Sequence, residues 1–291
     1  MATTAEWLEG ARPRTLFMAV APVVAGTGVA AHDGDVRWGR AALALAVSLA
    51  LQIGVNYAND YSDGVRGTDT DRVGPQRLVG SGAARPRAVL IAALVCFAVA
   101  ATAGLALAAL SSWWLVVVGA LAIAAAWGYT GGAKPYGYRA LGEVSVFVFF
   151  GLVAVGGTAY VQTQRVTATA VLTAIPIGIL ACALLVANNL RDIPGDVRAH
   201  KRTLAVLLGD GRTRLLYEAL VVIPFALAGV LAIRDHGPPL IAWAAAPLAL
   251  GAISPVHSGA SGPALVPTLR ATGQLTLAFA LLLAVGLAIA N

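Results

Sequence analysis

The chain has 291 residues, 58% of them hydrophobic and only 12% charged, with a formal net charge of +6 and a mean hydropathy of +0.78. A soluble domain carries about a quarter charged residues, so this composition excludes a soluble globular fold and predicts an all-α integral membrane protein. The positive balance does not point to nucleic acid, because the basic residues sit in short loops between apolar runs.

Apolar runs of spanning length lie near 15–31, 40–58, 88–110, 113–130, 141–162, 167–189, 215–233, 239–253 and 273–290. They do not alternate apolar and polar residues as barrel strands do, so they read as helices. The first run does not read as a signal peptide. Glu6, Glu9, Arg12 and Arg14 precede it and no A-x-A site follows. Ser111 and Ser112 alone separate the third and fourth runs, and the eighth is short. Cys96 and Cys182 fall inside apolar runs and read as small core residues rather than a disulfide or a CxxC site. His32, His200, His236 and His257 are scattered, with no zinc-ligand spacing. The expected architecture is a single domain over residues 1–291, with nine transmembrane helices.

Charge sets the expected orientation. With the N-terminus inside and nine alternating helices, sixteen of the twenty basic residues fall on the inner side. Only Arg37, Arg40, Arg165 and Arg234 fall outside. Positively charged loops stay cytoplasmic, so the predicted arrangement is N-terminus in and C-terminus out, as a multi-pass protein of the plasma membrane.

Two polar stretches interrupt this pattern. Residues 56–71 read NYANDYSDGVRGTDTD, directly after an uncharged apolar run. Asn56, Asn59, Asp60 and Asp63 are spaced i, i+3, i+4 and i+7, one face of a helix if the helix continues past Val55. Clustered carboxylate and amide oxygens at a membrane edge are costly unless paired, and a divalent cation is their natural partner. Residues 188–203 read NNLRDIPGDVRAHKRT, again after a long apolar run, and Asn188, Asp192 and Asp196 repeat the pattern 132 residues later. Both stretches lie at the predicted cytoplasmic ends of even-numbered helices, as in a pseudo-repeated four-helix unit. Pro194 is expected to end or bend the second helix. Two acidic clusters facing one cavity would repel each other unless cations lay between them. Mg²⁺ suits carboxylates together with phosphate oxygens. Arg66, Arg72, Arg77, Arg191, Lys201 and Arg202 stand ready to grip a phosphate or diphosphate, with Lys201 and Arg202 the favoured pair.

The stretches NDYSDGVRGTDTDRVGPQRLVGSG (59–82) and NNLRDIPGDVRAHKRTLAVLLG (188–209) resemble the two signature regions of the UbiA superfamily of intramembrane prenyltransferases. Within it they most resemble the branch that prenylates 1,4-dihydroxy-2-naphthoate for menaquinone. ARPRTL (11–16) and YTGG…GYRALGEV (129–144) match as well, so the resemblance covers nearly the whole chain in order. One position departs from the wider pattern NDxxDxxxD. Gly67 stands four residues after Asp63, with Asp69 and Asp71 the next acids.

The resemblance implies nine helices around a central cavity, capped by short cytoplasmic helices. It implies Mg²⁺ held by Asp60, Asp63, Asp192 and Asp196, a polyprenyl diphosphate donor, and an aromatic acceptor that loses CO₂ to give demethylmenaquinone. Asn56, Asn59, Arg66, Asn188, Lys201 and Arg202 are expected around the donor. Lys134, with Arg139 and Glu143 nearby, is a candidate partner for the acceptor carboxylate. Tyr129 and Tyr136 are candidates to stack on its ring or shield the allylic cation; interfacial anchoring explains these residues equally well. Arg12 and Arg14 read as anchors. Other acceptors, 4-hydroxybenzoate or homogentisate, stay open at this point. An ion-coupled transporter is the rival from another class, but the acids cluster at helix ends rather than in mid-membrane. A CDP-alcohol phosphotransferase is disfavoured, because Val65-Arg66 follows Asp63-Gly64 where its D-G-x-x-A-R core would differ.

Overall fold

The computed structural model describes residues 2–67, 77–234 and 237–290, and within them it is helical with no strand. A short helix, α1 (Thr4–Gly10), is closed by a capping box between Thr3 and Glu6. It is followed by α2 (Phe17–His32), α3 (Trp38–Arg66), α4 (Pro86–Leu110) and α5 (Leu115–Gly128). Then come α6 (Gly142–Thr163), α7 (Ala168–Arg198), the short α8 (Leu204–Leu208), α9 (Asp210–Arg234), α10 (Pro238–His257) and α11 (Gly262–Ile289).

Each predicted apolar run coincides with a helix. Among the described residues seven helices are long and apolar enough to cross a membrane. The first run is bent by 46° against the segment before it, Thr4–Thr15, and counts as an eighth span if the pair is taken together. α5 has only 14 residues, short of the roughly 20 that a bilayer crossing needs. The count of nine full spans is therefore not established. α11 starts earlier than the hydropathy suggested, because Thr268, Thr272 and Thr276 bury their hydroxyls, two of them on carbonyls one turn back.

Position in the bundle follows from what each helix can hide. Two-thirds of the spanning window of α7 is buried, 67%, against 22% for α4. α7 is thus the central post, and α4 presents most of its surface outward. The large core joins α2, α6, α7, α9, α10 and α11 around Val29, Ile177, Leu180, Tyr217 and Phe279. A second cluster joins α1, α3 and α4 around Tyr57, Leu78 and Phe97. Close approach relies on glycine. A Cβ on Gly28 would stand 2.5 Å from Ala284, and one on Gly151 2.8 Å from the Cα of Gly178. Small residues let helices pack backbone to backbone where lipid offers no hydrophobic drive.

The loops sort to two ends of the bundle. Arg40 donates to the carbonyls of Val161 and Leu110, and Arg165 pairs with Asp35 at 2.9 Å. The segments predicted outside are thus tied to one another. The two aspartate stretches meet elsewhere, at a cavity.

Candidate active site

A cavity of about 850 Å³ opens between α2, α3, α4, α5, α6 and α7, with one wall from α11. Its depth is apolar, lined by Leu51, Val55, Val118, Phe149, Phe150 and Val153. Phe149, Phe150 and Val153 belong to a π-helical stretch of α6, Phe147–Val153; such stretches are rare and frequent at functional sites. Its polar end lies where α3 and α7 outrun their apolar segments. Among the described lining residues, Arg12, Arg14, Arg77, Arg191, Lys201 and Arg270 supply six cations against the four carboxylates of Glu9, Asp63, Asp192 and Asp196. The cavity is therefore cationic overall and suited to a polyanion.

α3 continues past Val55 to Arg66, as the spacing of its polar residues predicted. Asn56, Asn59 and Asp63 line the cavity. The Asn56 amide donates to the Ala11 carbonyl at 2.9 Å, which holds the 11–15 turn against α3. Asn59 accepts from the Thr130 hydroxyl at 2.6 Å. Asp60 has a different neighbourhood from the one expected. It does not line the cavity, and its two carboxylate oxygens accept from the backbone N–H groups of Leu78 and Val79 at 2.8 and 3.0 Å. Consecutive helix residues point about 100° apart, so Asn59 and Asp60 flank the stripe on opposite sides. One faces the cavity and the other the 77–81 segment. Asp63 is buried and accepts from the Tyr138 hydroxyl and from Lys201 Nζ, the latter at 3.4 Å.

α7 does not stop at Pro194 but runs to Arg198. A proline here sacrifices a single hydrogen bond, to the Leu190 carbonyl, within the last two turns of the helix. Asn188, Asp192 and Asp196 consequently stay on one helical face, and all three line the cavity. Arg191 forks onto both oxygens of Asp192, each at 2.7 Å, and also donates to Asn188 at 2.9 Å. Asn189 lines the cavity too and donates to Glu143 at 3.0 Å, which docks the start of α6 on α7.

Lys201 joins the two stretches. Its ammonium lies 4.6 Å from the centre of the Tyr138 ring, while the hydroxyl of the same tyrosine bonds Asp63. Tyr138 was not identified from sequence, and nothing in its spacing ties it to a carboxylate 75 residues away. Arg12, Arg14 and Arg270 also line the cavity, a role beyond the anchoring expected of the first two.

Tyr129 and Tyr136 line the cavity edge to face, ring centres 5.6 Å apart. Tyr136 donates to the Ala125 carbonyl at 2.7 Å; burial pushes its phenol up, so it stays protonated at neutral pH. Arg66, in contrast, is exposed and directs its guanidinium to the Thr130 and Gly132 carbonyls, bracing the 130–132 loop rather than lining the cavity. Lys134 and Arg202 line a second, neighbouring cavity and not this one. Asp69, Asp71 and Arg72 lie outside the described residues. Gly67 closes α3 with φ +71°, a left-handed conformation that glycine adopts without cost, so the departure from the longer aspartate pattern coincides with the end of the helix.

Among the described residues no three His, Cys, Asp or Glu side chains come together as a ready metal cage. Mg²⁺ is commonly held by one or two carboxylates, with substrate phosphates completing its shell. Asp63 on α3 and Asp192 and Asp196 on α7, all lining the cavity, fit that use, with the remaining ligands supplied by an anionic substrate.

Comparison with known proteins bears on the family and the fold. The chain is 58% identical over 288 residues to a 1,4-dihydroxy-2-naphthoate octaprenyltransferase of Mycobacterium tuberculosis, covering 99% of this chain and 98% of the relative. It is 39% identical over 226 residues to the Escherichia coli protein of the same name, covering 75% and 73%. A UbiA homologue from Archaeoglobus fulgidus, solved bound to GPP and Mg²⁺, superposes with a TM-score of 0.71 at 17% identity, covering 98% of this chain and 99% of that one. That likeness speaks for the fold. The family model for the UbiA prenyltransferase family matches residues 19–261, and the chain belongs to that family.

Proposed function

We propose that the chain transfers a polyprenyl group from polyprenyl diphosphate to 1,4-dihydroxy-2-naphthoate, with loss of diphosphate and CO₂, giving demethylmenaquinone. One observation carries this reading. The end of α3 and the segment just after α7, 138 residues apart at Asp63 and Lys201, meet through an ion pair in a cationic cavity whose depth is apolar. The names of the relatives supply the acceptor class.

The diphosphate sits at the polar end. Asp63, Asp192 and Asp196 would hold Mg²⁺ there, and the ion would supply positive charge to stabilise a diphosphate leaving group. Lys201, Arg191 and Arg77 bind the phosphate oxygens, arginine in bidentate fashion and lysine as a point charge. Such preorganised charge stabilises the departing diphosphate more than the intact donor. The prenyl chain lies along Leu51, Val55, Phe149 and Phe150, where water is excluded from the allylic cation. Tyr129 and Tyr136 face that cation and the acceptor ring. The acceptor carboxylate has Arg12 and Arg14 within the same cavity, whereas Lys134 stands outside it. The polar end faces the cytoplasm, on the charge distribution of the loops.

The test is turnover of labelled polyprenyl diphosphate with 1,4-dihydroxy-2-naphthoate in lipid, with and without Mg²⁺. Mg²⁺-dependent prenylated product with CO₂ release is expected. Product with 4-hydroxybenzoate or homogentisate instead would overturn the acceptor assignment and leave the donor site standing.

A further inference from the structure

A second cavity of about 580 Å³ lies beside the first, lined by Ala133, Lys134, Pro135, Tyr138, Arg139, His200, Arg202 and Leu207. It holds Lys134, Arg139, His200 and Arg202 and no carboxylate. None of these four side chains forms an ion pair with a carboxylate among the described residues. Lys134, Arg139 and Arg202 carry positive charge and all four residues are exposed at this opening; like charges gathered there repel one another across solvent, and an anion among them relieves that repulsion.

Its position gives the anion a source. Tyr138 lines both cavities and forms the wall between them. The chain then crosses that wall one residue at a time. Lys201 and Thr203 are buried and line the reaction cavity, while Arg202 between them is exposed and lines the second. The Arg202 N–H donates to the Tyr138 carbonyl at 3.0 Å, which pins the crossing. Two non-glycine residues hold left-handed backbone around it, Ala140 at φ +55° and His200 at φ +54°. Such conformations are uncommon for non-glycine residues and collect at functional sites.

We infer that this second cavity is a binding subsite for phosphate groups, adjoining the reaction cavity across Tyr138 and taking diphosphate as it leaves Lys201. The inference rests on the proposed reaction for the source of the anion. A phospholipid headgroup presents the same chemistry from the membrane side, and the experiment separates the two. No bond is made or broken at the subsite; it holds an anion already released.

The test uses the full-length protein carrying Arg139→Gln with His200→Asn, residues outside the reaction cavity; asparagine tolerates the left-handed backbone at 200. A second variant, Leu207→Glu, places an acid on the exposed lip of the same cavity. Inorganic diphosphate is the inhibitor, and vesicles contain phosphatidylcholine alone or with phosphatidylglycerol. In the wild type, diphosphate should inhibit in a mixed pattern against the prenyl donor, reflecting binding in both cavities. In both variants inhibition should become competitive only, with the non-competitive component weakened about tenfold and the single-turnover rate kept within twofold. If the variants instead lose only a dependence on phosphatidylglycerol, the phosphate subsite stands and its occupant is a lipid headgroup. If neither diphosphate inhibition nor phosphatidylglycerol dependence changes in either variant, the subsite is overturned. Should the wild type show no prenyl transfer at all, the reaction assignment is what fails. Equilibrium binding of inorganic diphosphate to wild type and variants then decides the subsite: equal binding overturns it, and a loss in both variants supports it.

Discussion

The ends of α3 and α7 carry nearly the same pattern of asparagine and aspartate, yet the fold uses them differently. On α3 one aspartate looks away from the cavity. Asp60 is spent on two backbone N–H groups of the 77–81 segment, and Asp63 alone faces inward. On α7 both aspartates face inward, and the charge of Asp192 is matched by its own neighbour Arg191. The difference lies in what packs behind each helix end. α3 is backed closely by the segment that follows it, since a Cβ on Gly64 would stand 2.5 Å from Val79. On α7, Gly195, between Asp192 and Asp196, has open space around it. A carboxylate beside a loop with unsatisfied N–H groups becomes a structural acceptor. One beside a cavity stays available to a ligand.

The largest expected effects fall on the inward-facing acids. Asp63→Asn and Asp192→Asn should each lower kcat/KM by on the order of 10²–10³, the scale of losing one group that stabilises developing charge, with the folded fraction preserved. Near-normal turnover in either would remove that residue from the donor site. Asp60→Asn should behave differently. Its amide offers one acceptor where two N–H groups need one each, at a cost of roughly 1–3 kcal/mol for the one left unmet. The expected result is a lower Tm with much of the turnover retained. An Asp60→Asn protein as inactive as Asp63→Asn but thermally unchanged would erase the contrast between the two carboxylates.

Smaller effects sharpen it. Tyr138→Phe keeps the ring against Lys201 but deletes the hydroxyl on Asp63. A loss of roughly tenfold in kcat is expected, matching one hydrogen bond to a charged group at about 1.5 kcal/mol. Acceptor KM should stay the same, and a change there alone would move Tyr138 to the acceptor. The smallest pair is Gly64→Ala against Gly195→Ala. The first should destabilise by about 1–3 kcal/mol through overpacking on Val79, the second by no more than about 0.5 kcal/mol. Thermal unfolding in detergent reads both, and equal shifts would mean that the two helix ends are backed alike.

Much of this was legible in the order of residues. Hydrophobicity over windows of helical length marked every apolar helix, because a chain in lipid has to satisfy its backbone within each segment. The continuation of α3 through Asn56, Asn59, Asp60 and Asp63 followed from spacing alone. So did the kinship of the 56–71 and 188–203 stretches. The sequence by itself therefore determined the membrane class, the positions of the helices and the two polar ends that build the site.

Only the tertiary structure decided which of these groups share a space. It turned Asp60 toward Leu78 and Val79, ran α7 through Pro194, and set Arg66 on the 130–132 carbonyls. It sent Lys201 and Arg202 to opposite sides of Tyr138 and brought that tyrosine to Asp63. Each of these outcomes depends on a partner distant in sequence, and a local pattern fixes the face a side chain occupies but not what stands opposite it. Burial then selects among the candidates, because a polar group placed in a packed, low-dielectric interior keeps its position only where a partner meets it.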